Sequence, residues 1–373
     1  MMNVLVTGYN GFIGKNLVVT LEQLTDIEIL KFGKNHSIDY LEELVEKADF
    51  IFHLAGINRP EHESEYANGN KELTEKLIEL LNKHSKHIPI VLSSSTQADQ
   101  MNAYGLSKIG AEEAVIQYGK KVGSEVYIYR LPNVFGKWCR PNYNSVVATW
   151  CFNIANDLPI TIHDENKTIK LVYIDYVIQE FLTTLKNNDK KSGIQPYQEI
   201  HETFEIRLGD LANKLRSFKE SRYSLIQPSL EDKFDKYLYS TYLSYLNNND
   251  FGYNLTMRHD NRGWLAEFIK SDQFGQIFIS RTKSGITRGN HWHHTKVEKF
   301  LVIEGNAVIR FRHVMENKET LEYVVSGENL QVIDIPPGYT HSIENVGKTD
   351  VITLFWANEI FDAGKPDTFF LEV

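Results

Sequence analysis

Directly behind the apolar run Val4-Leu5-Val6, the chain reads Thr7-Gly8-Tyr9-Asn10-Gly11-Phe12-Ile13-Gly14. Three glycines at this spacing permit a tight turn, a close backbone approach to a pyrophosphate, and close packing of the next helix against the strand. The N-terminus of that helix offers N–H groups and the positive end of its dipole to an anion. A glycine turn without a ligand is the competing explanation, and the strand-turn-helix context argues against it.

The pattern that follows supports the same α/β reading. Strand-like runs at 27–32, 49–54, 88–93 and 125–130 alternate with helix-like runs at 15–23, 72–82 and 108–118. Such alternation implies a doubly wound parallel sheet with helices on both faces, the Rossmann arrangement. From 186 to 250 the texture changes. The polar run Lys186-Asn187-Asn188-Asp189-Lys190-Lys191 leads to a helix-like piece at 208–218 and to a tyrosine-rich stretch at 237–253. These read as the end of a first domain and a linker. Past about residue 252, short alternating runs at 276–280, 300–303, 307–311, 321–325, 330–335 and 351–356 suggest an antiparallel sandwich or barrel. At 373 residues the chain exceeds what one core usually serves. The expected division is 1–246 and 247–373.

Composition enters as exclusion. A net charge of −9 argues against a nucleic-acid or anionic-membrane surface. No stretch approaches the roughly 18 apolar residues of a membrane span. The opening Met-Met-Asn-Val-Leu reads as a strand, without a basic leader segment. Two cysteines, Cys139 and Cys151, exclude a disulfide scaffold and fit a reducing compartment. A cytoplasmic enzyme is expected, with no nucleic-acid and no membrane partner.

Chemistry in the first half centres on Ser93-Ser94-Ser95 at a strand end and on Tyr104-Gly105-Leu106-Ser107-Lys108 at a helix start. A Tyr and a Lys four apart share a helical face, and the ammonium stabilises a phenolate. That pair alone is common. With the glycine loop, His53-Leu54-Ala55-Gly56, Arg130-Leu131-Pro132-Asn133-Val134-Phe135-Gly136 and Leu171-Val172-Tyr173-Ile174-Asp175-Tyr176-Val177, it resembles the extended short-chain dehydrogenase/reductase family over about residues 3–180. The resemblance implies that Gly8, Gly11 and Gly14 hold cofactor phosphates, with Thr7, Asn10, Phe12, Ile13, Leu54, Ala55 and Gly56 around them. It implies Tyr104 as proton donor, Lys108 on the nicotinamide ribose, and Ser95 on the substrate carbonyl, with Ser94 as the alternative. The interval from Ser95 to Tyr104 is short for that family, so the pocket should be more open or completed by another segment. The second strand ends in Ile29-Leu30-Lys31-Phe32-Gly33-Lys34-Asn35 without a carboxylate. Lys31 and Lys34 are placed to meet a 2′-phosphate, which favours NADP(H) over NAD.

In the second half, His291 and His293 are two apart, so on a strand they face one way, and Glu298 follows. His341 comes later, within Pro336-Pro337-Gly338-Tyr339-Thr340-His341-Ser342-Ile343-Glu344-Asn345. Three imidazoles and a carboxylate suit Zn²⁺ or another divalent transition metal. With Gly285 and Gly305, this set matches the two motifs of the cupins, although Gly327 comes too early for the second. His294 should face away. A cupin can serve an oxygenase, a sugar-binding or dimerising module, or a sugar epimerase.

The order of the two domains is itself informative. With Ala55-Gly56-Ile57-Asn58-Arg59-Pro60, Gly136-Lys137-Trp138-Cys139, Asn290-His291-Trp292-His293-His294-Thr295-Lys296 and the C-terminal Phe370-Leu371-Glu372-Val373, the whole chain resembles fused capsular-polysaccharide and O-antigen synthesis enzymes. That resemblance implies an enzyme acting on a UDP-linked 4-keto-6-deoxy-N-acetylhexosamine, and the cupin likeness adds the expectation of a homodimer. The cupin would epimerise C3 and the reductase domain would deliver hydride from NADPH to C4. The alternative is a keto-sugar reductase whose cupin only dimerises. The C3 base stays open among His294, Lys296, Tyr339 and residues elsewhere. Arg310 and Arg312 either grip a diphosphate or are solvated.

Overall fold

The computed structural model describes residues 1–58, 62, 66–187, 196–314 and 319–373. Arg59 and Pro60, and residues 188–191 of the polar run, lie outside them. The chain forms two compact units, Met1–Leu215 with Lys236–Asn247 and Arg216–Asp235 with Asn248–Val373.

The first unit contains strands β1 (Met2–Thr7), β2 (Ile27–Phe32), β3 (Phe50–His53), β4 (Ile90–Ser95), β5 (Val126–Leu131), β6 (Asn133–Phe135), β7 (Thr168–Tyr173), β8 (Tyr197–Gln198) and β9 (Phe204–Arg207). Six of them form a parallel sheet in the order β2-β1-β3-β4-β5-β8. Helices α1 (Phe12–Leu21), α2 (Ile38–Lys47), α3 (Leu73–Lys83), α4 (Ala103–Val122), α5 (Val146–Ala155) and α6 (Ile174–Lys186) connect and cover it. Strand side chains alternate between the two faces. Leu5, Ile51, Ile90 and Ile128 pack with Leu44, Leu77 and Val115 of α2, α3 and α4. Phe52 and Tyr129 turn the other way, 5.6 and 5.1 Å from the ring of Phe181 in α6. Burial on both faces explains why these strands are continuously apolar rather than alternating.

Three features of this unit were not anticipated. Helix α2, capped by Ser37 and burying Leu41, Leu44 and Val45, fills an interval to which no element was assigned. Strands β6, β7 and β9 form a separate three-stranded sheet. The helix expected at 208–218 is present and runs on to Ser224, and a second helix follows where only a linker is expected. These helices are α7 (Leu208–Ser224) and α8 (Lys233–Leu243), each divided between the two units. Tyr237 stacks on Tyr173 at 4.2 Å, Tyr242 is buried, and the Tyr245 hydroxyl donates to the Cys139 carbonyl at 2.6 Å. Tyr237, Tyr242 and Tyr245 thus pack against the first unit, whereas Tyr253 is exposed.

The second unit carries β10 (Met257–Asp260), β11 (Gly263–Ser271), β12 (Gly275–Thr282), β13 (Thr287–Trp292), β14 (Glu298–Glu304), β15 (Asn306–His313), β16 (Leu321–Ser326), β17 (Val332–Ile335), β18 (Tyr339–Asn345), β19 (Val351–Ala357) and β20 (Phe369–Phe370). They build two antiparallel sheets, ordered β10-β11-β12-β19-β14-β17 and β16-β15-β18-β13-β20. Between them lies a core that includes Phe300, Val302, Ile309, Phe311, Ile343 and Phe355. A doubly wound α/β sheet is therefore followed by an all-β cupin barrel. Among the described residues, no helix is long and apolar enough to cross a membrane.

Candidate active site and metal centre

The glycine loop joins β1 to α1. Gly8 has φ 70°, and a Cβ there would lie 2.7 Å from the Ala55 backbone nitrogen. A Cβ on Gly14 would lie 2.2 Å from the Gly8 carbonyl oxygen. Only glycine fits either place. Helix α1 starts behind Gly11 with no side-chain cap and no acidic residue in its first turn. That end suits an anion such as a cofactor pyrophosphate. Asn10 and Gly11 are exposed and Phe12 and Ile13 half-buried, whereas Thr7 is buried. The Ala55 N–H donates to the Thr7 hydroxyl at 3.2 Å, which places the 54–56 segment against the loop. Lys34 is exposed just past β2, but Lys31 is paired with Glu22 at 2.8 Å. Of the two lysines weighed for a 2′-phosphate, Lys31 already has a carboxylate partner.

A buried polar chain leads from this loop towards α4. The Thr7 hydroxyl lies 2.7 Å from His53 Nδ1, and His53 Nε2 lies 2.9 Å from the Thr74 hydroxyl. Thr74 gives its single proton to the Asn70 carbonyl at 2.7 Å, so His53 Nε2 carries the hydrogen and Nδ1 accepts from Thr7. Burial, then the Lys108 charge, lowers the His53 pKa to about 3. The ring is neutral. Asn70 Nδ2 donates to Ser107 at 3.0 Å, and Ser107 donates to the Tyr104 carbonyl at 2.7 Å.

Tyr104 and Lys108 stand on α4, Lys108 Nζ 5.9 Å from the Tyr104 ring centre. Asn102 caps this helix by accepting from the Gly105 N–H at 2.8 Å. The Tyr104 hydroxyl donates to Asn58 Oδ1 at 3.0 Å. Burial raises its pKa, and a hydrogen bond with Ser95 works against that rise. Lys108 is buried and donates to the Ser93 carbonyl at 3.4 Å. Burial brings its pKa down to about 8, and the Glu112 charge pulls the other way. The structure thus brings Ser95, Tyr104 and Lys108 together. Ser94 is directed elsewhere and donates to Glu112, which also accepts from Arg130 and Tyr197. Beside Tyr104 lies a pocket of about 250 Å³ lined by Asn58, Tyr66, Gln97, Asn102, Tyr104 and Asn144. The short Ser-to-Tyr interval is compensated by Asn58 and Tyr66 after β3 and by Asn144 before α5. The sequence reading missed Asn58, Asn70 and Glu112, because nothing local marks them.

In the barrel, His291, His293, Glu298 and His341 place one ligand atom each within 4.8 Å of one another. His291 pairs across the sheet with His341, while Glu298 opens β14 in the other sheet. The expectation that both histidines share one regular strand needs correction. A bulge lies between Gly289 and His291, and β13 ends at Trp292. Asn290 takes φ 59° there. The two rings still converge, with centres 5.0 Å apart. His293 Nε2 and His341 Nε2 lie 3.3 and 3.4 Å from the same Glu298 oxygen. Burial opposes the charge on Glu298, but the hydrogen bond from His293 and the facing His341 ring bring its pKa to about 2. Burial and the neighbouring His341 lower His291 to about 4. The His341 Nε2 atom is buried with no hydrogen-bond partner. An orphaned imidazole nitrogen facing an ionised carboxylate suits a divalent cation.

Surrounding residues have other occupations. His294 is exposed, its ring between Trp292 and Phe369. Lys296 Nζ donates to the Pro366 carbonyl at 2.8 Å, and the Tyr339 ring packs on His313. Arg310 is held by Glu322 and Glu344, and Arg312 donates to the Glu372 carbonyl, so neither arginine is merely solvated.

Comparison with known proteins accords with this architecture. The family described as NAD dependent epimerase/dehydratase matches residues 4–197, and the polysaccharide biosynthesis C-terminal domain matches residues 258–369. The chain is 44% identical to UDP-2-acetamido-2,6-beta-L-arabino-hexul-4-ose reductase of Pseudomonas aeruginosa, over 99% of this chain and 98% of that one. The crystal structure of capsular polysaccharide assembling protein CapF from Staphylococcus aureus aligns with a TM-score of 0.92 and 47% identity, covering 100% of both chains. UDP-glucuronic acid 4-epimerase from Bacillus cereus, solved with NAD, covers 65% of this chain at 21% identity and TM-score 0.56, and shares the fold. The chain belongs to the NAD dependent epimerase/dehydratase family, followed by a polysaccharide biosynthesis C-terminal domain.

Proposed function

We propose that the chain is a bifunctional nucleotide-sugar enzyme. Its cupin epimerises C3 of a UDP-2-acetamido-2,6-dideoxy-4-keto-hexose, and its reductase unit reduces C4 with NADPH to UDP-2-acetamido-2,6-dideoxy-L-talose. The product lies on the route to UDP-N-acetyl-L-fucosamine for capsule or O-antigen. The observation that carries the reading is the Ser95, Tyr104 and Lys108 set beside a pocket lined by uncharged amides and phenols. Such a lining suits sugar hydroxyl and acetamido groups. The printed name of the Pseudomonas relative, a reductase of a 4-ulose, supports the reductive half.

Thr7 to Gly14, Lys34 and Leu54 to Gly56 would hold the cofactor, which supplies the hydride when bound. Tyr104, kept protonated by burial, gives its proton to the C4 oxygen as negative charge develops there. Ser95 hydrogen-bonds the same oxygen, and the Lys108 ammonium stabilises the phenolate left behind. Asn58 holds the Tyr104 hydroxyl until substrate arrives. His291, His293, Glu298 and His341 would hold a zinc or similar ion, which when bound would supply Lewis acidity to polarise a 4-keto group and make the neighbouring C3 proton more acidic. One functional group of the substrate then serves both steps. We propose a cytoplasmic homodimer as the working form.

NMR analysis of the UDP-linked 4-keto-6-deoxy sugar in deuterated buffer tests the reading. Tyr104→Phe should abolish NADPH oxidation while deuterium still enters C3. Glu298→Gln should stop the deuterium uptake. A folded Tyr104→Phe protein that leaves C3 unlabelled would sink the epimerase assignment and leave a reductase with a structural cupin.

A further inference from the structure

The metal cage is held from outside by the end of the chain. His293 Nδ1 donates to the backbone carbonyl of Asp367 at 2.6 Å, which leaves Nε2 to face Glu298. The Asp367 carboxylate accepts the backbone N–H groups of His294, Thr295 and Lys296 at 3.0, 2.9 and 2.9 Å, and the Thr295 hydroxyl at 3.0 Å. These donors form the loop that leads from His293 towards Glu298. Asp367 itself sits at φ 35°, a conformation a non-glycine residue keeps only where its surroundings fix it. Beyond it, β20 pairs Phe370 with His291 and Phe369 with Trp292. The Leu371 N–H donates to the Asn290 carbonyl at 3.0 Å, and Thr340, next to His341, donates to the Leu371 carbonyl. The segment therefore touches the neighbourhood of three of the four ligands.

We infer that residues 366–372 are a working part of the metal centre, with Asp367 as its positioning residue, and that segment docking and metal binding form one coupled equilibrium. The inference rests on the reading of the cage as a metal site. A carbonyl that takes Nδ1–H fixes the ligand tautomer and ring orientation, and losing such an outer partner typically weakens metal binding. Here the acceptor is backbone, so no substitution removes it. The Asp367 side chain instead holds that carbonyl in register. By linkage, whatever docking adds to metal affinity, metal adds to docking.

Two measurements on the full chain test this. Zinc affinity is determined by competition with a chromophoric chelator for the wild type, Asp367→Ala and Asp367→Asn. Asp367→Ala should bind zinc about ten- to a hundredfold more weakly, with Asp367→Asn between it and the wild type. In the wild type, zinc should slow amide hydrogen exchange of Leu371 and of His294, Thr295 and Lys296. Zinc affinity of a folded Asp367→Ala within twofold of the wild type, or exchange in 366–372 indifferent to zinc, overturns the inference. If Asp367→Ala fails to fold, the wild-type exchange result decides. A wild type that binds no zinc at all defeats the metal reading itself.

Discussion

Lys108 concentrates the residue-scale physics of the reductase site. It is buried beside Gly56, where an added Cβ would lie 3.1 Å from its Nζ, and its pKa of about 8 falls inside the working range of an enzyme. Its ammonium form exists below that value and is lost as pH rises through it. We therefore expect kcat/KM for keto-sugar reduction to hold level below about pH 8 and to fall above it. Glu112 raises the Lys108 pKa, so Glu112→Gln should move the alkaline limb to lower pH. An unmoved limb in a folded Glu112→Gln enzyme rules out this coupling. A second expectation concerns Lys34, the lysine past β2 whose neighbour Lys31 is tied to Glu22. Lys34→Glu should raise KM for NADPH by about tenfold, roughly the worth of one exposed charge-assisted contact, with KM for NADH little changed. Equal effects on both cofactors would remove Lys34 from the 2′-phosphate.

Elements differ in how openly the sequence displayed them. The glycine loop, the Tyr104/Lys108 pair and the two cupin motifs were legible because each is written in a short continuous run of sequence. Gly285, Gly305 and Gly338 were legible for the same reason, as each occupies a turn with φ of 72°, 86° and 78°. Asp367 was not, since it meets His293 across 74 residues and no local pattern announces the meeting. Asn58 on Tyr104 and Glu112 beneath Ser94 are hidden alike, because they depend on how segments converge. His53 falls between: its position at the end of a strand was visible, but its role as a neutral bridge from β1 to α3 was not. That bridge has a measurable consequence. An unfolded histidine takes up a proton near pH 6.5, whereas the folded His53 resists until about pH 3. Stability should therefore be lost progressively as pH falls through that window. In His53→Gln the acid slope of urea-unfolding stability should flatten, while stability at pH 7.5 drops by about 1–3 kcal/mol from impaired Thr7 and Thr74 bonding. An unchanged slope would show that other groups govern acid sensitivity.

At the scale of the whole molecule, the two compact units do not correspond to two uninterrupted stretches. We propose 246/247 as the boundary between the reductase and cupin domains, yet by packing Arg216–Asp235 goes with the barrel. The backbone carbonyl of Lys270 on β11 accepts the Gln227 N–H at 2.7 Å, and the Lys270 backbone N–H donates to the Leu225 carbonyl at 2.8 Å. Phe218 and Leu225 are buried as well. A fragment beginning at 216 should consequently unfold at a higher temperature than one beginning at 247. Burial of one phenylalanine alone is worth about 1.5–3 kcal/mol, and differential scanning calorimetry reads the difference. Equal melting temperatures would mean that the 216–235 segment contributes nothing to the barrel. The same interleaving bears on synthesis. As the chain leaves the ribosome, residues 216–235 emerge before any of the strands they will join, and the first unit lacks its final segment until Asn247 is out. The nascent chain must carry a stranded piece of the barrel past a reductase that is not yet finished, so a pause in translation near residue 250 would expose Phe218 and Leu225 to chaperones rather than to their partners.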